Sequence, residues 1–514
     1  MKSTFGCPQA LTVNCKNFII AGTCSILSLV ALSVSAATFT VTNFNDTGAG
    51  SLRAAIADAN GQSGTDTIDF DSSLNGGTIS LSAAQGEISI TDDVIIRGPG
   101  ADLLTISGLS ATRIFSIVDS NVQIEGLTLD RGRVTGGSGG AIISTENDRQ
   151  LTLSDCAITR SQSDGFGGGV LAEGTVIIDN CRIENNSSIY EVNFAYNGGG
   201  ISANILEIKN SSVINNLIDG SNGQGGGLYA ANGATIENTR IAENQAISDN
   251  GTADGGGAYI RNGAVVIRSS TFENNQASDW AGALYPGVTR GGTNTTLILD
   301  STFSGNEAAE GGAVFVTGPT DWVAIVQTTL SGNSATTSGG GVYSRNRKLF
   351  FVASSTIIGN SAGQSGGGIY IQDAIDNEVI FQNSYIANNT SSGNGADVFM
   401  ENQSDINTPD SRNNFIGDSD TTGFIDGANG NIVNVTTAQV GPLQNNGGPT
   451  QTHEPLPGSR IVDAGNNQLV TNILQIIPGL IIDFDQRGFP RIDGGTVDIG
   501  SVELPILIFR DGFE

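Results

Sequence analysis

Few residues in this chain have the chemistry for a catalytic or metal site, and they are unevenly placed. The 514 residues include one histidine, His453, and five cysteines. The densest acidic run holds Asp483, Asp485, Asp493 and Asp498, whose oxygens are the hard ligands that calcium takes. The same residues read first as turn-formers, because an Asp side chain hydrogen-bonds the backbone two residues on. Asp155, Asp179 and Asp300 fall just ahead of turns and read the same way. The Gly-rich runs, such as residues 198–200, lack the Lys-Ser/Thr ending of a phosphate loop and recur too often to be one. No cofactor other than calcium is indicated. What does recur at a fixed spacing is a set of aromatics: Tyr229, Tyr259, Tyr285, Phe315, Tyr343 and Tyr370, at intervals of 26 to 30 residues.

That interval belongs to a repeated unit: Ser/Cys/Thr, an apolar residue two positions on, Asn five positions on, then a Gly-rich corner. Its first residues are Cys156, Cys181, Ser211, Thr239, Ser270, Ser301, Thr328, Ser355 and Ser384, spaced by 25, 30, 28, 31, 31, 27, 27 and 29. The Asn position holds Asn186, Asn216, Asn244, Asn275, Asn306, Asn333, Asn360 and Asn389, with Ser161 in the first unit. A fixed period of this size marks a solenoid. Within each unit the apolar runs are short and alternating, as in residues 265–272, which is the period of strands. Parallel crossovers are right-handed. The chain therefore reads as all-β: a right-handed parallel β-helix whose coils rise about 4.8 Å each. The asparagines read as a structural ladder in left-handed turns, each hydrogen-bonding its equivalent in the next coil.

In such a stack Cys156 and Cys181 hold the same position in successive coils. Their Cα atoms then lie within disulfide range, and the pair is either bridged or a buried pair of free thiols. Each corner is followed by an apolar core residue, from Val170 to Ile369, and the next residue faces away from the core. The six aromatics occupy that outward position, so they form a stripe. It is either a packed column or an exposed platform for a glycan or other apolar partner.

Residues 1–37 have the pattern of a secretory signal: Lys2 and Lys16, an apolar run over residues 18–31, then small residues at Ser35, Ala36 and Ala37. Removing them takes away two lysines and no acid, moving the net charge from −28 to −30. Such a surface repels nucleic acid and anionic membranes. No later stretch is long and apolar enough for a membrane-spanning helix. Residues 38–108 read as an N-terminal cap and first irregular coils. There Ser51 is a candidate N-cap for a short helix burying Leu52, Ala55, Ile56 and Ala59. Residues 109–400 carry the repeats, and residues 401–514 break the period and read as an irregular C-terminal cap.

Three stretches carry resemblances. Residues 38–70, with Gly50, Ser51, Leu52, Arg53, Ala54 and Ala55 matching, resemble the N-terminal domain named for its CSLREA motif. The repeats, as in residues 304–315, resemble the GGA(I/V/L) and FxxN repeats of polymorphic outer membrane proteins. Residues 441–466 with 485–503 resemble the choice-of-anchor Q domain. These resemblances imply a secreted or surface-associated bacterial β-helix protein. The last residues resemble a short DGFE-type terminal tail.

No Gly-His-Gly with paired aspartates is present, as a β-helix hydrolase of galacturonans would require. The expected function is a non-catalytic secreted or cell-surface protein, a monomer that presents its coils for adhesion or for matrix or glycan binding, with a glycan or surface protein as partner. The alternative is a polysaccharide lyase or hydrolase with its site in the longer loops, residues 187–197 or 245–254.

Overall fold

The structure is a computed structural model. It describes residues 36–189, 197–249, 251–287, 295–318, 322–345, 349–372, 379–403, 406–420, 422–437, 439–471, 477, 480 and 482–505. The signal-like run up to residue 35, the DGFE tail and parts of the loops 187–197 and 245–254 lie outside the described residues. All described residues belong to the unit Ala36–Glu514.

One coil shows how the sequence folds. Val314–Thr317 and Trp322–Val326 run along one sheet, Thr329–Ser331 along a second and Ser334–Ser338 along a third. The corner Gly339 to Gly341 then delivers the chain to Val342–Arg345, which pairs in parallel with the starting strand, Val314 opposite Val342. Repetition gives parallel sheets of 23, 14 and 10 strands. The fourteen-stranded sheet runs from Gly77–Ser80 to Ile432–Val433, a stack of roughly 60 Å at the usual strand spacing. Coiling thus continues past residue 400. Side chains of all three sheets fill one core of stacked Ile, Val, Leu and Phe.

The corners explain the repeat. Gly311 has φ +65°, and a Cβ on the next residue, Gly312, would meet the Gly340 carbonyl at 2.3 Å; only glycine lets successive coils approach so closely. The left-handed residue of the asparagine corner is the one before the repeated Asn: Asn185, Asn215, Glu243, Asn274 and Asn388 all have φ between 53° and 59°. The expectation that the repeated asparagines themselves adopt that conformation is corrected. They are buried and form the ladder instead. The Asn244 side-chain N–H donates to Asn275 Oδ1 at 3.0 Å and to the Val213 carbonyl at 2.9 Å. The Asn244 backbone N–H also donates to Asn275 Oδ1. The ladder runs from Ser161, whose backbone N–H donates to Asn186, to Asp397, whose Oδ1 takes the Asn389 amide at 2.8 Å.

The repeated Ser/Cys/Thr residues build a second ladder at the other end of the short strands. The backbone N–H of Thr239 donates to Ser270 Oγ, and that of Ser270 to Ser301 Oγ, both at 3.1 Å. Each hydroxyl in turn donates to the carbonyl two residues back, as Ser270 does to Arg268.

At the N-terminal end the helix Leu52–Ala59 buries Leu52, Ala55, Ile56 and Ala59, and Ser51 caps it by accepting from the Ala54 N–H. These side chains join the core beside Val41, Ile68, Ile88 and Ile90 of the first coils. The helix covers apolar surface that the first coil would otherwise leave open. Residues 440–505, by contrast, are not an end cap. They fold back along the flank of the coils, where Thr302 Oγ1 donates to the Gln451 carbonyl and Thr329 Oγ1 to Gln486 Oε1. Val470, Ile477, Ile482 and Val497 cover the outer face of the long sheet at Leu299, Val326 and Phe351.

Asn275 sits mid-ladder, so replacing it with Ala orphans the buried Asn244 N–H groups. The expected loss is about 2–4 kcal/mol, since each orphaned group costs about 1–3, read as a lower midpoint in urea unfolding. An unchanged midpoint would mean that the ladder carries no net stabilisation.

Candidate functional site

The aromatic stripe lies on the outward side, in a cluster separate from the core. Its rings stack face to face. Tyr259 and Tyr285 are 4.5 Å apart at 2°, Phe315 and Tyr343 4.8 Å apart, and Tyr343 and Tyr370 4.7 Å apart. Phe399 extends the column beyond Tyr370 at 5.2 Å. Trp280 lies against Tyr285 and Phe315, 5.0 Å from the latter. Tyr229, Tyr259, Tyr285, Phe315 and Tyr343 are buried and Tyr370 is half-buried. An exposed platform is therefore not what the chain builds. In-register strands turn each ring's face to its neighbour, and Trp280, which no repeat pattern singled out, covers two more.

Trp280 also gathers acids. Its backbone N–H donates to Asp254 Oδ1 at 3.2 Å, and it pairs as a parallel bridge with Glu310. Burial pushes the Asp254 carboxyl up to about 7, and the neighbouring Asp279 adds to the rise. Burial, then Asp279, raises Glu310, while Arg345 and the Trp280 side chain act the other way. Three carboxylates thus flank one indole on the side of the coils, a set that the sequence pattern did not bring together.

Cys156 and Cys181 are both free and buried. They occupy two rungs of the hydroxyl ladder: the Cys156 N–H donates to Cys181 Sγ at 3.3 Å, and the Cys181 N–H donates to Ser211 Oγ at 3.0 Å. Each thiol donates two residues back, Cys156 to Ser154 and Cys181 to Asp179. The Cys181 thiol is pushed up by its bond with Cys156 and by burial.

The four clustered aspartates do not converge on a cation site. Asp485 holds Arg487 at 2.8 Å. Asp498 accepts from the Asp463 and Leu504 backbone N–H groups. Asp483 is exposed and Asp493 half-buried. Among the described residues no group of three or more His, Cys, Asp or Glu is placed to hold a metal ion. The calcium expectation is corrected, because the best-placed carboxylates already serve the flank segment itself. His453 serves it too. Its Nδ1–H donates to the Gly441 carbonyl at 2.6 Å, leaving Nε2 to accept from Ser331 Oγ at 2.9 Å, and burial lowers its pKa.

The open surface lies elsewhere, along the corner between the long and fourteen-stranded sheets. Its left-handed residues are Asp155, Asn180, Asn210, Asn238, Ser269, Asp300 and Gln327, with φ between 45° and 53°. Neighbours bond outward along the stack, Asn180 to Asp155 at 2.5 Å and Asn238 to Asn210 at 2.8 Å. They floor a groove of about 770 Å³, with Asp102, Arg182, Ser212 and Arg240 among its other lining residues and Pro449 of the flank segment also lining it. A second cavity of about 430 Å³ shares Ser269 and Pro449.

Compared with known proteins, the family described as a right handed beta helix region matches residues 114–321. The Chlamydia polymorphic membrane protein repeat matches residues 327–345. No curated protein matches the chain. The chain is a right-handed parallel β-helix with a polymorphic-membrane-protein repeat.

Two outcomes follow from the buried groups. Cys181→Ser restores the hydroxyl found at seven other rungs, so the unfolding midpoint should move by less than about 1 kcal/mol, whereas loss of a disulfide costs about 2–4. A loss in the latter range would establish the bridge. For Asp254 the raised pKa favours the protonated fold. That contribution is full below pH 4 and lost as pH rises through about 7. Asp254→Asn should therefore melt above the parent at pH 8 and no higher at pH 4. Equal melting at both would place the Asp254 carboxyl near its ordinary pKa.

Proposed function

We propose that this is an exported, surface-displayed β-helix protein that binds a neutral linear glycan along the corner groove and does no chemistry on it. The observation that carries this reading is the groove's floor, a column of amides, a carboxylate and a hydroxyl repeating at the coil spacing. Such groups offer both donors and acceptors to ring hydroxyls. A periodic polymer can meet them in the same way at each coil. The net charge of −28 weighs against an anionic polysaccharide. Surface display is supported by the polymorphic membrane protein repeat at residues 327–345 and by the signal-like pattern before residue 38. The choice-of-anchor resemblance of residues 441–503 is consistent with attachment through that part of the chain. Adhesion or matrix binding is the role such a groove would serve.

Ser212 lines the groove on a strand, half-buried, with its backbone in the ladder. Ser212→Trp should fill the groove and weaken binding to any neutral glycan retained on an array at least tenfold, with the melting temperature unchanged. Undiminished binding by that variant would remove the groove from the function.

One observation favours the enzymatic alternative: the carboxylates of Asp254, Asp279 and Glu310 around Trp280, two of them raised by burial and by each other's charge. An acid held protonated near neutral pH beside a second carboxylate is the equipment for cleaving a glycosidic bond. Product analysis on any glycan that binds separates the readings. Shortened products that vanish in both Asp254→Asn and Glu310→Gln would establish catalysis.

A further inference from the structure

The second cavity lies where the flank segment crosses the corner column, lined by Arg268, Asp300, Gln327, Asp483, Phe484 and Asp485 among others. Gln327 is only 5 % exposed. Its Nε2 donates to Asp300 Oδ1 at 2.8 Å, but its Oε1 has no hydrogen-bond partner. Along the column each corner side chain donates to the one before and accepts from the one after, as Asn238, Asn210 and the earlier rungs do. The corner residue after Gln327 is Ser354, whose side chain is too short to supply that donor. A buried amide oxygen without a donor is costly, and here it lines an open cavity. Phe484, on the same wall, is 58 % exposed, an aromatic ring whose face is not consumed by stacking as those of the buried column are.

We propose that this cavity is a subsite for one neutral, hydroxyl-rich sugar residue, with Gln327 Oε1 accepting from a ring hydroxyl and Phe484 meeting the apolar face of the ring. The proposal rests on the glycan-binding reading of the adjoining groove, and it makes this cavity the place where sugar identity is read. Charge decides the class. Asp485 is held by Arg487, leaving Asp300 and Asp483 against Arg268, so a uronate, sulfate or phosphate would meet net repulsion. A donor-rich neutral ring has none to overcome and satisfies the orphaned oxygen. A site that pairs a buried polar group discriminates strongly against ligands that lack the matching donor.

The test uses the full chain and neutral hexasaccharides of glucose, mannose, galactose and xylose, with the corresponding methyl monosaccharides, by isothermal titration calorimetry. The parent should bind one hexasaccharide at least tenfold more tightly than the others. Phe484→Ser changes an exposed side chain and leaves the fold alone. It should weaken that hexasaccharide at least tenfold, and Gln327→Met should erase the preference among sugars. If Ser212→Trp abolishes binding while Phe484→Ser and Gln327→Met leave affinity and preference intact, the groove stands and the subsite is wrong. If Ser212→Trp has no effect but a methyl monosaccharide binds in a Phe484-dependent way, the subsite stands and the groove reading falls. If no sugar binds, or if calcium alone raises the melting temperature of the parent but not of Asp483→Asn, the sugar assignment is overturned.

Discussion

The constraint on which everything else depends is the register of the stack. Parallel strands repeating about every 4.8 Å place equivalent residues one above another. Any residue type that bonds to a copy of itself is thereby amplified along the whole coil. Buried asparagine does so through its amide, and buried serine or threonine through its hydroxyl, so the two corners of the short strands satisfy their own backbone N–H groups without water. The core gains stacked aliphatics from the same register. A polar ladder inside an apolar core is tolerable only because it is complete. Each internal rung is both donor and acceptor, and the ladder ends on Asp397, a residue that only accepts when ionised.

Most of this was legible in the sequence because period and position determine it. The nine-fold Ser/Cys/Thr…Asn spacing yields the coil, and the face of Leu52, Ala55, Ile56 and Ala59 yields the capping helix. The ladder partners follow from register alone. What was not legible arises between elements without a common period. Trp280 stands at a corner position that holds Asp254 in the preceding coil and Glu310 in the following one, so no pattern announces that it will cover Tyr285 and Phe315. The fold-back of residues 440–505 depends on contacts such as Gln486 with Ser301, separated by 185 residues, and aperiodic sequence cannot reveal its partner. The left-handed turn was misassigned by one position because Asn185–Asn186 and Asn215–Asn216 are pairs in which either residue suits it. Burial of the second decides.

The two cysteines show the same logic in a different atom. A thiol donates to the carbonyl two residues back and accepts from the preceding coil's N–H, as the hydroxyls above it do. The Ser/Cys/Thr equivalence in the sequence is therefore an equivalence of hydrogen-bonding roles, and it explains two adjacent cysteines without recourse to a bridge.

Self-pairing has a further consequence for where a ligand can bind. A stacked column uses up its own valences. The aromatic rings spend their faces on one another, and the buried amides spend their donors and acceptors on adjacent rungs, so neither is free to recognise anything. Recognition capacity appears where the repetition fails. Outward corner residues change from Asn to Ser to Asp to Gln between residues 238 and 327, and each change leaves a donor or acceptor without its counterpart. The flank segment adds aperiodic residues over that same stretch. The periodic part of the chain supplies rigidity and spacing, and its irregular corner supplies the unpaired groups that a partner can complete.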